Sequence, residues 1–174
     1  MAKIIIFNII RYVILLIVQV ALLKNIGYYN MAVAFPYVLI IFLLPIGISN
    51  FVLFVLALLT GLSIDAFYDS IGIHAAACVA LAFFRIFFHN ITIELDDQGS
   101  FNTPSWGNMG FKWFSTYILF GVIIHHFILF LIEAFTFSNF IQTLMSIILS
   151  SLFTILIILV ISLLTYQKKS RIIN

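Results

Sequence analysis

Long apolar runs separated by short polar breaks dominate this chain. A helix needs about 20 apolar residues to cross the hydrocarbon core of a bilayer, within a range of about 17–25. Runs of this kind cover residues 4–23, 71–88, 113–134 and 140–166, and each is predicted to be a membrane-spanning helix. The last run is long enough for its helix to tilt or to project beyond the core.

A further apolar stretch, residues 32–64, is too long for a single spanning helix. Pro45 and Gly47 lie in its middle, and both residue types disfavour a continued helix. The stretch is therefore predicted to form two short spans, 32–48 and 51–66, joined by a tight turn.

The composition agrees with a membrane protein. Hydrophobic residues make up 64% of the 174 residues and charged residues only 8%, whereas soluble domains carry about 25% charged residues. A lipid-facing surface removes the need for such a polar coat. We expect an all-α integral membrane protein, a single six-transmembrane-helix bundle over residues 1–174, with one polar loop at 89–112.

The basic residues predict the orientation. An even number of spans places both termini on one side, and Lys and Arg near span ends favour the cytoplasm. With the termini and the loop at 89–112 inside, only Lys24 lies outside. The basic residues on the cytoplasmic half are then Lys3, Arg11, Arg85, Lys112, Lys168, Lys169 and Arg171. Arg11 lies about two turns into the first helix and is expected to extend back to the head groups.

The most distinctive local pattern spaces Gly61, Asp65 and Asp69 by four residues. Asp and Ser are favoured N-caps, so Asp69 or Ser70 is expected to cap the start of the fourth span. Gly61 permits close packing of two helices. Asp65 lies inside an apolar stretch and needs a partner, which is His74, a helix terminus or another protein.

A second polar group consists of His125, His126 and Glu133, with His126 and Glu133 seven residues apart on one predicted helix. A zinc site requires more ligands at closer spacing, so intramembrane polar contacts are expected here, with individual roles left open. Gln19 is expected to bond across helices. No phosphate-binding loop, nucleophile elbow or paired acid–base motif is found, so no catalytic, cofactor or metal residues are predicted. The modest positive charge gives no indication of nucleic-acid binding.

The run Gly-Leu-Ser-Ile-Asp at 61–65, followed by Gly-Ile-His-Ala at 72–75, resembles the signature of the rod shape-determining protein MreD family. Two further features agree: a Gln-x-x-Leu-Leu stretch beginning at Gln19, and Pro36 at the opening of the second span. One departure is Tyr37, which stands where many family members carry an Asp.

The resemblance implies a non-enzymatic subunit of the bacterial cell-elongation (rod) complex in the plasma membrane. Such a subunit binds the single-span protein MreC, connects indirectly with MreB filaments and with RodA and its transpeptidase, and supports cell shape and peptidoglycan synthesis. Its fold would resemble the substrate-binding subunit of energy-coupling-factor transporters. The partner-binding residues expected at one outer turn are Gly61, Asp65, Gly72 and His74. The alternative is a membrane subunit that binds the substrate of a small-molecule, vitamin-type transporter.

Overall fold

The computed structural model describes residues 2–28, 32–94, 102–135 and 139–166, and it is helical almost throughout. The predicted cytoplasmic tail at 168–171 and the acidic loop residues Asp96 and Asp97 lie outside these ranges. In chain order the elements are α1 Ala2–Ile17, a π-helix Val18–Leu23 that continues it, β1 Gly27–Tyr28, β2 Ala32–Val33, a 3-10 helix Pro36–Val38, α2 Leu39–Phe42, α3 Asn50–Tyr68, α4 Ile73–Thr92, α5 Trp106–Met109, α6 Phe111–Ala134 and α7 Phe140–Leu164. The two strands pair antiparallel in a minimal hairpin, with Gly27 opposite Val33.

Within the described residues, five helices are long and apolar enough to cross a membrane. They are Ile6–Leu23, Asn50–Tyr68, Ile73–Thr92, Phe111–Ala134 and Phe140–Leu164. Exposed apolar side chains lie along these helices, and a helix satisfies most of its own backbone hydrogen bonds, as a bilayer requires. The chain is thus an all-α protein of the multi-pass membrane type, as its composition predicts.

The long helices pack as antiparallel neighbours, α3 against α4, α4 against α6, and α6 against α7. We call the end with the α3–α4 turn, residues 69–72, the turn end, and the opposite end, with the α4–α6 connection, the loop end. The π-helix that continues α1 ends at the turn end, where Nζ of the next residue, Lys24, donates to the carbonyl of Phe67. The last helix reaches the loop end, where the ring of Tyr166 lies 5.6 Å from that of Trp106.

The predicted helix over 32–48 is not formed. Only the 3-10 helix and α2 are helical there. This stretch, which we call the buried segment (residues 34–45), fills the interior of the bundle, and residues 37–42 are all 5% exposed or less. It runs from the turn end, where Gln19 Nε2 donates to Ala34 O, towards the loop end, where Ile46 N donates to Asn102 O.

Two arginines explain why irregular backbone is stable inside the bundle. Non-helical backbone at membrane depth requires donors for its free carbonyls. Both terminal nitrogens of Arg85 donate hydrogen bonds of 2.8–3.4 Å to backbone carbonyls, those of Ile41, Phe42, Leu44 and Pro45. Arg11 donates to the carbonyl of Leu43 at 2.7 Å and to Asn8. Arg11 therefore has an internal partner in this carbonyl, and its expected extension to the head groups stays a prediction.

Candidate functional site

Asp65 caps the start of α4. Its carboxylate is 4% exposed and accepts two backbone hydrogen bonds, from His74 N to Oδ1 at 3.0 Å and from Ala75 N to Oδ2 at 3.1 Å. Ser70 Oγ also donates to Oδ1, at 2.6 Å. Free N–H groups and the helix dipole make a helix N-terminus a favourable place for a carboxylate. Of the three partners considered for Asp65, the one observed is the helix terminus.

Asp69 does not cap α4, contrary to the prediction. It ends α3 in the left-handed conformation, with φ of 54°, and the chain then turns through Gly72, with φ of 80°, into α4. Asp65 sits one turn earlier in α3, where its side chain points at the free N–H groups of α4. Ser70 contributes indirectly, since its hydroxyl donates to that carboxylate.

Gly61 brings the two helices close enough for this cap to form. A Cβ at Gly61 would lie 2.3 Å from the Cα of Ala75 and 2.5 Å from its nitrogen. Real side chains essentially never approach backbone so closely, so α3 and α4 touch through their backbones at this level. The prediction that Gly61 permits close packing is confirmed.

A second cluster lies in the middle of the bundle around Tyr37. The Tyr37 hydroxyl is 3.0 Å from His74 Nδ1 and 2.9 Å from His125 Nε2, and Cys78 Sγ is 3.8 Å away. A phenol has one proton to donate, so Tyr37 donates to one imidazole and accepts from the other. The three side chains form an ordered chain that links the buried segment to α4 and α6.

His126 belongs to a separate set of hydrogen bonds. Its Nδ1 lies 2.9 Å from the carbonyl of Val122, which only accepts, so in a neutral ring this nitrogen carries the proton. The hydroxyl of Thr154 then donates to Nε2 at 3.0 Å and accepts from the backbone N–H of Phe35 at 2.9 Å. This arrangement fixes α6, α7 and the buried segment relative to one another.

Glu133 does not join the histidines. It is exposed at the last turn of α6 and lines a cavity of about 260 Å³ at the turn end, together with Asn139, Gln142, Thr143 and Ser146. Within the part of the chain that the structure describes, no three His, Cys, Asp or Glu side chains are placed to hold a metal ion. The central cluster joins the buried segment to α4 and α6 through the Tyr37 hydroxyl, which bonds one imidazole on each helix.

Sequence reasoning did not single out Tyr37 as a site residue. The available signal was a tyrosine directly after Pro36 within an otherwise apolar run. Gln19 was predicted to bond across helices, and its amide donates to Ala34 O at 3.1 Å and to the hydroxyl of Tyr68 at 2.7 Å.

The four residues predicted to bind a partner lie together at the turn end. Gly61, Asp65 and His74 are buried with internal contacts, and Gly72 is half-buried. Their partner-binding role stays a prediction. Next to them, Ile71 is 100% exposed at the tip of the turn.

No family model, no curated protein and no solved structure matches the chain. The class that the fold defines is an all-α membrane protein, in which five helices of the described ranges are able to span a bilayer.

Proposed function

We propose that this chain is a non-enzymatic membrane subunit of the MreD type, which binds an MreC-like single-span protein in the bacterial rod complex. One observation supports this proposal above the others. The residues that carry the resemblance, 61–65 and 72–75, act together as one unit, in which Gly61 sets the helix contact and Asp65 caps α4. A signature with a structural purpose of this kind is what a family of non-enzymatic subunits would retain.

The surface proposed to bind the partner is apolar and lies next to this unit. Ile71 is fully exposed in the α3–α4 turn that the Asp65 cap closes, and three other exposed apolar side chains lie at the same end, on α3, in the π-helix and just after the π-helix. We call these four residues the turn-end patch: Leu22, Ile26, Phe67 and Ile71. Lys24 lies beside Phe67 and adds one positive charge. A transmembrane helix with an acidic juxtamembrane residue would complement this surface.

We further propose six passes through the bacterial plasma membrane with both termini cytoplasmic, so that the loop end is the cytoplasmic end. Five passes are the long helices, and the sixth is the buried segment, which runs between the two ends of the bundle. The bias of Lys and Arg supports this orientation. Trp106 and Trp113 lie towards the loop end, where amphipathic rings favour a membrane interface.

The test of partner binding is copurification of a tagged single-span partner from gently solubilised membranes. Ile71→Ser should reduce the retained partner about tenfold, which corresponds to about 1.4 kcal/mol. Phe135→Ser is the matched control, because Phe135 is also an exposed apolar residue at the turn end but follows α6. Equal retention by both variants would show that the turn-end patch does not bind the partner.

The orientation has a separate test. Reporter fusions that are active only outside the cytoplasm, placed after Gln98 and after Asn174, should both be inactive. Activity at either position would overturn the six-pass proposal.

The alternative proposal is a substrate-binding subunit of a small-molecule transporter. The cavity at the turn end supports it, since Glu133, Asn139 and Gln142 offer polar groups to a small ligand. The filled interior of the bundle is a reason to rank it second, because residues 37–42 occupy the space that a central substrate would need. Mass spectrometry of the purified protein would separate the two, by a bound small molecule in one case and a copurified single-span protein in the other.

A further inference from the structure

We propose that a cavity at the loop end binds a phosphate-bearing anion at the depth of the lipid head groups. The cavity has a volume of about 210 Å³, and its lining includes Ile46, Asn50, Leu53, Arg85, His89 and Asn90. This site is separate from the turn-end patch and does not depend on the function proposed above.

The position of the cavity matches a head group. His89 and Asn90 lie within one turn of the end of α4 at Thr92. At 1.5 Å per residue, that distance is about 3–5 Å along the helix. Asn50 is the first residue of α3, so the opening of the cavity also coincides with the beginning of a long apolar helix.

The charge of the cavity wall is positive. Arg85 is 1% exposed, and its guanidinium bonds only neutral carbonyls among the described residues. Arg11 is not part of the lining, but it donates to a carbonyl of the same buried segment, that of Leu43. No described carboxylate lines the cavity: Asp65, Asp69 and Glu133 are at the turn end, and Glu94, at the loop end, is exposed beyond the end of α4. An anion in the cavity would offset a charge that is costly to bury alone.

The cavity also offers unused hydrogen-bonding groups. His89 lines the cavity and is 6% exposed, and its Nε2 has no partner among the residues that the structure describes. Buried polar atoms without partners are rare, and each calls for an explanation. Asn50 and Asn90 are exposed amides at the rim. The first turn of α3 adds the positive end of its helix dipole, which favours an anion, and Ser49 Oγ accepts from Val52 N there.

The test uses the full-length protein in a neutral detergent and follows its thermal unfolding midpoint. Two probes are added separately, phosphatidylglycerol and inorganic phosphate, with phosphatidylcholine and chloride as the references. A bound anion should raise the midpoint of the natural sequence by at least about 2–4 °C, the shift expected for a modest stabilisation of a chain of this size.

The variant that tests the cavity is Asn50→Asp. A negative charge at the first position of α3 favours the helix, so this variant should fold at least as well as the natural sequence. It should nevertheless bind the anion roughly two- to fivefold more weakly, since the new carboxylate repels the anion at an exposed position. Asn139→Asp is the matched control, because it places the same charge on an exposed asparagine at the turn end.

The two probes distinguish the sources of the anion. Stabilisation by phosphatidylglycerol alone, weakened in Asn50→Asp but not in Asn139→Asp, identifies a lipid head group. The same pattern with inorganic phosphate identifies a free phosphate group, and a response to both identifies phosphate chemistry as the common feature. If neither probe stabilises the protein, or if both variants respond equally, the proposal is wrong.

Discussion

Removing the carboxylate of Asp65 tests whether this side chain caps and stabilises the start of α4. In Asp65→Ala, the backbone N–H groups of His74 and Ala75 and the hydroxyl of Ser70 lose their acceptor. A buried donor left without a partner costs about 1–3 kcal/mol, and a lost N-cap costs about 0.5–2 kcal/mol. Water reaches part of the turn, because Ser70 is only half-buried. We therefore expect the free energy of unfolding to fall by about 2–4 kcal/mol.

Asp65→Asn is a smaller perturbation of the same group. The amide keeps one oxygen, which can still accept from His74 N, but its NH₂ group cannot accept from Ala75 N. It also removes the charge that interacts with the α4 dipole, a contribution of about 0.3–1 kcal/mol. We expect a loss of about 1–3 kcal/mol, less than for alanine.

The assay is reversible unfolding of the purified protein in mixed micelles, followed by helical circular dichroism as sodium dodecyl sulfate is added. Asp69→Asn is the matched control, because Asp69 is exposed, lies four residues away and adopts a left-handed conformation that Asn tolerates. That variant should change the stability by less than about 0.5 kcal/mol. If Asp65→Asn is no less stable than Asp69→Asn, the carboxylate does not cap α4 in the way described.

Three further predictions use the same unfolding assay. Gly61→Ala should lower the free energy of unfolding by about 1–3 kcal/mol, because its Cβ would overlap the backbone of Ala75. If the variant is fully stable, α3 and α4 are not in backbone contact. Tyr37→Phe should lower the free energy of unfolding by about 1–3 kcal/mol, since two buried imidazoles lose the hydroxyl that both contact. An unchanged stability would contradict the hydrogen-bonded chain. Arg85→Lys should lower the free energy of unfolding by at least about 1–3 kcal/mol although the charge is kept, because one ammonium group cannot replace a guanidinium that bonds four carbonyls. Equal stability would show that the charge alone holds the buried segment.

The long helices could be predicted from the sequence because a lipid environment permits few backbone conformations. A long apolar run in a bilayer must satisfy its own backbone hydrogen bonds, and a helix does so locally. The runs at 71–88, 113–134 and 140–166 therefore gave helices close to their predicted bounds. Gly61 could be interpreted in the same local way, since a glycine four residues before Asp65 favours a close helix contact.

The buried segment could not be predicted by the same reasoning. Apolar side chains look alike whether they face lipid or the protein interior, so 32–48 had the composition of a spanning helix. What allows another conformation there is a pair of donors far away in the sequence, Arg11 and Arg85, which bond the carbonyls that a helix would have used.

The polar sites depend on tertiary structure for a related reason. The sequence alone limited the partner of Asp65 to three classes, and the packing of α3 against α4 selected the helix terminus. The grouping of Tyr37, His74 and His125 joins residues up to 88 positions apart. Local spacing determines which face of a helix a side chain occupies, but only the packing of helices determines which distant donor meets which acceptor.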